Sequence, residues 1–297
     1  MSPVVRRHEL TDEEWELLAA LLPSCETRGR YYHDHRTILN GMLYWMHTGV
    51  PWRDLPERYG PWQTVYSRFR RWTRSGLWDR ILHALRRDLD GLGEIEWTLW
   101  CIDGSSVRAH KHAAGAGKKS ACASTRLGEP QDHALGRSRG GFTTKLHLVT
   151  DGRGLPLAVE LSAGQAQESK YAAPVLSAVK IPQPEGRRGR PRRRPEMVTG
   201  DKGYDIAPVR RWLREHRIRA VIPEKKRPEH WRARRGRPLQ FDCTVYRRRN
   251  VIERCVGWLK EARRVATRFE KLAVHYLGVL KLMMIRKHLK LCLSNTP

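Results

Sequence analysis

Residues 142–162 read FTTKLHLVTDGRGLPLAVELS. Two runs rich in Leu, Val and Thr, Phe142 to Thr150 and Leu155 to Ser162, flank Asp151-Gly152-Arg153-Gly154, whose Asp and Gly residues suit a tight reversal. The pattern predicts a β-hairpin. Upstream, Glu96 to Ile102 is a third short apolar strand. Downstream, Glu168 to Val179 carries helical spacing, Glu196 to Thr199 reads as a strand, about Asp205 to His216 as a helix, and Ile218 to Ile222 as a fifth strand. Three strands followed by alternating helix and strand predict a mixed sheet covered by helices.

The first ninety residues have a different period. Thr11-Asp12-Glu13-Glu14 is a capping box ahead of Trp15, Leu18, Leu21 and Leu22, and Pro23 ends that run. A second helix is expected from Asp34, with Ile38, Leu39, Met42, Leu43 and Met46 on one side and Gly49 as its C-terminal cap. Pro61 opens a third, whose Trp62, Val65, Tyr66, Phe69 and Trp72 form a stripe opposite Gln63, Thr64, Ser67, Arg68, Arg71 and Arg74. A fourth spans Leu77 to Leu89, and Gly91 to Gly93 marks a boundary. We therefore expect an all-α bundle over 1–92 and an α/β (α+β) domain over 93–297. Basic stretches 104–141, 186–194 and 225–238 read as solvated loops.

The chain has 297 residues, 57 Lys and Arg against 31 Asp and Glu, and a net charge of +26, so its natural partner is a polyanion. Nucleic acid leads. A membrane partner is disfavoured because the most apolar stretch, Leu272 to Leu293, is interrupted by Lys281, Arg286, Lys287 and Lys290. The segment after Met1 lacks the apolar core of a signal peptide, which places the expected location in the cytoplasm with the nucleoid. The six cysteines include no CxxC pair and are expected to be reduced. Charge alone would equally suit a ribosome-type protein without catalysis.

Chemistry enters with three acids. Asp103 ends the apolar strand before it, Asp201 follows Met197-Val198-Thr199-Gly200, and Glu253 lies on a helix expected to begin near Tyr246. On that helix Tyr246, Arg249, Glu253 and Lys260 fall within an arc of about 60°. Val251, Ile252, Cys255, Val256, Trp258 and Leu259 occupy the remaining, mostly opposite side. The carboxylate thus stands among phosphate binders. Singly, each Asp would also serve as a turn former, and the stripe as a solvated charged face.

These residues resemble a known family. The segments Cys101-Ile102-Asp103-Gly104-Ser105 with Arg108-Ala109-His110, Gly136 to Gly141, Gly200-Asp201-Lys202-Gly203-Tyr204-Asp205, and Tyr246 through Lys260 resemble bacterial insertion-sequence transposases of the DDE class, those grouped as insertion sequence family five. The last segment looks like that family's Tyr-Arg-Glu-Lys signature with its spacing intact. The resemblance implies an RNase H-like mixed sheet with flanking helices, preceded by a helix-turn-helix-like bundle. It implies Asp103, Asp201 and Glu253 as catalytic metal ligands, and Tyr246, Arg249 and Lys260 as grips on DNA phosphates. The expected cofactor is a pair of Mg²⁺ ions, about 3.5–4 Å apart, for which Mn²⁺ would substitute.

The expected partners are double-stranded DNA, both transposon ends and target, and a second copy of the chain in a homodimer or higher oligomer. In the third helix Gln63, Thr64, Ser67, Arg68 and Arg71 are expected to face DNA. Three rival readings are a tyrosine recombinase using Tyr204 or Tyr246, a DNA-binding regulator that has lost catalysis, and a stand-alone RNase H-like nuclease. The first leaves the three acids unexplained. For the third, the N-terminal bundle would be surplus.

Overall fold

A computed structural model describes residues 6–23, 33–115, 129–183, 190, 192–225 and 241–294. The four N-terminal helices form where their caps dictate. In α1 (Asp12–Ala19) the Glu14 amide donates to Thr11 Oγ1 at 3.2 Å while the Thr11 amide donates to Glu14 Oε2 at 3.0 Å. In α2 (His35–Thr48) the Asp34 carboxylate accepts from the Thr37 amide, and Gly49 closes the helix at φ 76°, a left-handed conformation that disfavours a Cβ. Helix α3 (Trp62–Arg74) follows Pro61, and α4 (Leu77–Gly91) follows Gly76.

Among the described residues a seven-stranded sheet follows: β1 (Leu99–Ala109), β2 (Gly136–Ser138), β3 (Gly141–Asp151), β4 (Pro156–Ala163), β5 (Met197–Thr199), β6 (Arg219–Val221) and β7 (Thr267–Arg268). Its main path runs β2-β3-β1-β5-β6, with β4 on β3 and β7 on β1. Strands β3 and β4 are the hairpin expected from residues 142–162, and β1 lies antiparallel to β3 but parallel to β5.

Alternation along β1 assigns its two faces. Leu99 and Cys101 join the core that contains α8 (Asn250–Lys260) and α10 (Ala273–Ser294). Trp100 and Ile102 join the second core, with α5 (Ala172–Ala178) and α6 (Ala207–Glu215). Helices therefore cover both faces, an architecture consistent with the RNase H-like expectation. Helices α1 to α4 share the first core with α8 and α10, so apolar packing runs on past Leu92. Lys281 of α10 also pairs with Asp79 of α4 at 2.7 Å. Among the described residues no helix is long and apolar enough to cross a membrane.

Three sequence expectations need correction. Strand β1 does not stop at Ile102 but continues to Ala109, because the β3 backbone pairs with it from Trp100 to Arg108. Backbone pairing is indifferent to the small polar side chains that made 104–109 read as loop. The loop expected over 104–141 thus also contains a 3₁₀ segment, Lys111–Gly115, and β2. Its residues 116–128 lie outside the described residues, as do most of 186–194 and 225–238.

The expected helix at Glu168 begins instead as a 3₁₀ turn, Glu168–Tyr171, before α5. The helix near Tyr246 is two pieces, α7 (Cys243–Arg247) and α8, joined at Arg248 and Arg249 by i to i−3 hydrogen bonds. A last short helix, α9 (Arg263–Ala266), precedes β7. Cys101, Cys243 and Cys255 are free thiols.

Candidate active site

Asp103 lies inside β1 on the face of Leu99 and Cys101, toward α8. The parallel register Leu99 to Met197, Trp100 to Val198, Cys101 to Thr199 brings Asp201 level with it, each aspartate standing two residues past the last pair. Neighbouring strands lie about 4.8 Å apart. The β1/β5 pairing thus sets two carboxylates side by side. The Asp201 side chain also accepts the Gly203 amide at 2.8 Å, which turns the chain into the 3₁₀ segment Lys202–Tyr204 and buries Tyr204.

Glu253 reaches this place from α8 through Arg249. The Arg249 guanidinium lies 3.6 Å from Asp103 Oδ1 and pairs with the Glu253 carboxylate. Next to it, Arg248 pins the start of α8 to the sheet by donating to Glu96 Oε2 at 2.6 Å and to the Gly152 carbonyl at 3.3 Å. At the far end of α8, Lys260 Nζ donates to Ser105 Oγ at 2.8 Å and to the Ser106 carbonyl at 3.2 Å. The helix therefore crosses β1 with Glu253 near its first turn and Lys260 in its last. Tyr246 sits on α7, its ring tilted against Phe241 at 5.3 Å.

Burial pushes the Asp103 carboxyl up to about 6. Arg249 and the Gly104 amide oppose the shift, and Glu168 and Asp201 add to it. Glu168 was no candidate from sequence. It stands over the backbone of Gly104, where a Cβ would come within 2.5 Å of its Cδ, so a side chain at 104 would collide with it. Lys145 Nζ holds it at 3.1 Å. Only its position, just past a strand in Gly164-Gln165-Ala166-Gln167-Glu168, hinted at a site residue, and that position read as an ordinary helix start.

Among the described residues no three His, Cys, Asp or Glu side chains converge closely enough to hold a metal ion. The donor chemistry nevertheless suits a hard divalent cation, since Asp103, Asp201 and Glu253 offer carboxylate oxygens alone, with Arg249 lying between Asp103 and Glu253.

The α3 candidates lie elsewhere. Gln63, Ser67 and Arg71 are exposed and Thr64 is half-buried. Arg68 is a correction: it is 5% exposed, its Nη1 is 2.7 Å from His35 Nδ1, and its guanidinium lies 5.6 Å from the Trp72 ring centre. Position 68 borders the apolar stripe, and a planar guanidinium packs on an aromatic face where a helical wheel reads only a charge.

Residues 98–286 match the family described as "Transposase DDE domain", and residues 10–82 match "Putative transposase of IS4/5 family". A 159-residue stretch, 54% of this chain, is 35% identical to the "Putative transposase for insertion sequence element IS402" of Burkholderia cepacia, covering 69% of that protein. The corresponding protein of element IS6501 from Brucella ovis is 29% identical over 48% of this chain and 94% of its own length. An uncharacterized protein of Sinorhizobium fredii, y4sN, is 38% identical over 36% of this chain and 82% of its own length. The DDE match spans more than half of the chain and contains both aspartates, Arg249 and Glu253, so the chain belongs to the DDE-domain transposases of the IS4/5 type.

Proposed function

We propose that this transposase binds the terminal inverted repeats of its own insertion sequence, cuts a strand at each end and joins it to target DNA at Asp103, Asp201 and Glu253. The observation that carries the proposal is the β1/β5 register, which levels the two aspartates while Arg249 links Asp103 to Glu253. Asp103, Asp201 and Glu253 would hold divalent metal, two Mg²⁺ ions or Mn²⁺ in their place. When bound, the metal supplies Lewis-acid stabilisation of the attacked phosphate and activation of the attacking oxygen.

The protein's own groups do the positioning. Arg249 neutralises Asp103 and Glu253 and would offer its guanidinium to a strand phosphate beside them. Lys260 is fixed on Ser105 and Ser106, a few ångströms along β1 from Asp103, and offers a second phosphate contact. Tyr246 adds a hydroxyl beside Arg249. In this reading residues 1–92 recognise the ends, with Gln63, Thr64, Ser67 and Arg71 on the outer face of α3. Residues 93–297 carry the chemistry, and a dimer holds two ends together wherever the DNA resides.

The test is strand cleavage of the element's own ends with Mg²⁺, comparing wild type with Glu253→Gln. Cleavage by wild type and its loss in the variant are expected, and equal cleavage by both would remove Glu253 from the site. Tyr246→Phe should retain residual cleavage. Complete loss, together with a protein–DNA adduct in wild type, would favour a tyrosine nucleophile.

A further inference from the structure

On the side of α8 away from Asp103 lies a cavity of about 520 Å³ between the N-terminal segment, the end of α2, α9 and α10. Trp258, on its wall, and Glu253 stand about 140° apart around α8. Into this cavity turn Arg7, His8, His47, Arg263, Arg286 and Lys290, against one lining carboxylate, Glu261. Arg286 is already engaged, since it pairs with Glu14 and donates to the Glu9 carbonyl at 3.0 Å. Among the described residues Arg263 reaches only the Thr48 carbonyl, at 3.4 Å, and Arg7 and Lys290 make no ion pair and are exposed.

We propose that this cavity is a second DNA site, which seats a backbone phosphate of the bound duplex outside the catalytic centre.

Two observations support it besides the lining. The His8 and His47 rings stack at 4.5 Å, a packing that two neutral imidazoles tolerate and two charged ones do not. Burial first, and then His8, Arg286, Lys290 and Arg7, lower the His47 pKa to about 4, so the cations around it set up a positive field in the cavity. An anion would relieve that field. Guanidinium, ammonium and imidazole donors on four segments match phosphate oxygens, and the open volume admits a group still attached to its strand. The inference rests on the DNA-binding reading of the whole protein.

The test measures duplex affinity of the full chain by fluorescence anisotropy across a salt series. Each phosphate contact contributes about 0.9 to the slope of log affinity against log salt. The double variant Arg7→Gln with Lys290→Gln should flatten the slope by about 0.9, the share of one phosphate contact, and the charge-keeping pair Arg7→Lys with Lys290→Arg should restore it. Should the double variant misfold by circular dichroism, Lys290→Gln alone should flatten the slope in the same direction, by up to about 0.9. An unchanged slope overturns the proposal while leaving wild-type DNA binding intact, whereas a wild type that binds no duplex overturns the parent reading. Inorganic phosphate provides the second arm. If it raises the wild-type melting temperature equally with and without saturating duplex, the cavity serves free phosphate and the DNA assignment fails.

Discussion

Around Trp45 and around Asp103 the chain keeps its charges in contrasting company. In the helical half Arg264 lies 4.8 Å from the Trp45 ring centre and donates to the Val50 carbonyl at 2.5 Å, while Arg68 lies against Trp72 and His35. These cations are absorbed by aromatic faces and backbone oxygens, and they hold the fold together. At β1, by contrast, burial penalises the Asp103 charge, Glu168 and Asp201 add repulsion, and Arg249 and Lys145 only partly compensate. Charge there costs stability. Such an arrangement makes sense where a ligand of opposite sign completes it.

The comparison breaks first if the acids prove structural. Asp103→Asn or Asp201→Asn should lower strand cleavage by about 10³-fold or more, with no loss of melting temperature, because each removes a repelling charge. A cleavage loss that merely follows a fall in melting temperature would overturn the contrast. Trp45→Ala should do the reverse and lower stability by about 3–5 kcal/mol in denaturant unfolding, since its indole is fully buried and stacked on Trp52 at 3.9 Å.

Glu168→Gln sharpens the boundary between site and scaffold. If Glu168 serves the site, cleavage should drop about 10- to 100-fold with folding unchanged, and Mn²⁺ binding followed by calorimetry should weaken in parallel. Unaltered Mn²⁺ affinity would return Glu168 to the scaffold.

The smallest expected effect is on pH. Burial pushes His288, in the core of α10, down to about 3, below its ordinary value of 6.5. A depressed histidine contributes stability that is present above about 6.5 and lost as pH falls toward its folded value, so going from about pH 7 to pH 5 should cost on the order of 2 kcal/mol. His288→Leu should flatten that dependence, read as melting temperature against pH.

Much of the molecule was legible because its determinants are local. Thr11 and Glu14 cap each other within one turn, Asp34 and Gly49 bound α2, and the turn residues of 151–154 set the β3/β4 reversal. Asp201 could be placed just past a strand end from a few apolar neighbours, whereas Asp103, read as ending its strand, stands inside β1. The 3.6-residue arithmetic that grouped Tyr246 with Arg249 and Glu253 worked less well, because the chain tightens to 3₁₀ spacing at Arg248 and Arg249 and α8 begins only at Asn250. Arg68 misled for a related reason. Helical spacing records which side a residue occupies, whereas a long cation near the edge of a stripe follows whatever aromatic surface is within reach.

By itself the sequence determined the helix caps, the hairpin and the residue types of the site, since backbone hydrogen bonding and the periods of helix and strand act over a few residues. Only the tertiary structure decided that β1 runs on past Asp103, that Glu168 stands over Gly104, and that Arg249 lies between Asp103 and Glu253. Each of these depends on pairing or packing between distant segments. Neighbours that meet only when a sheet closes leave no spacing in the chain to be read.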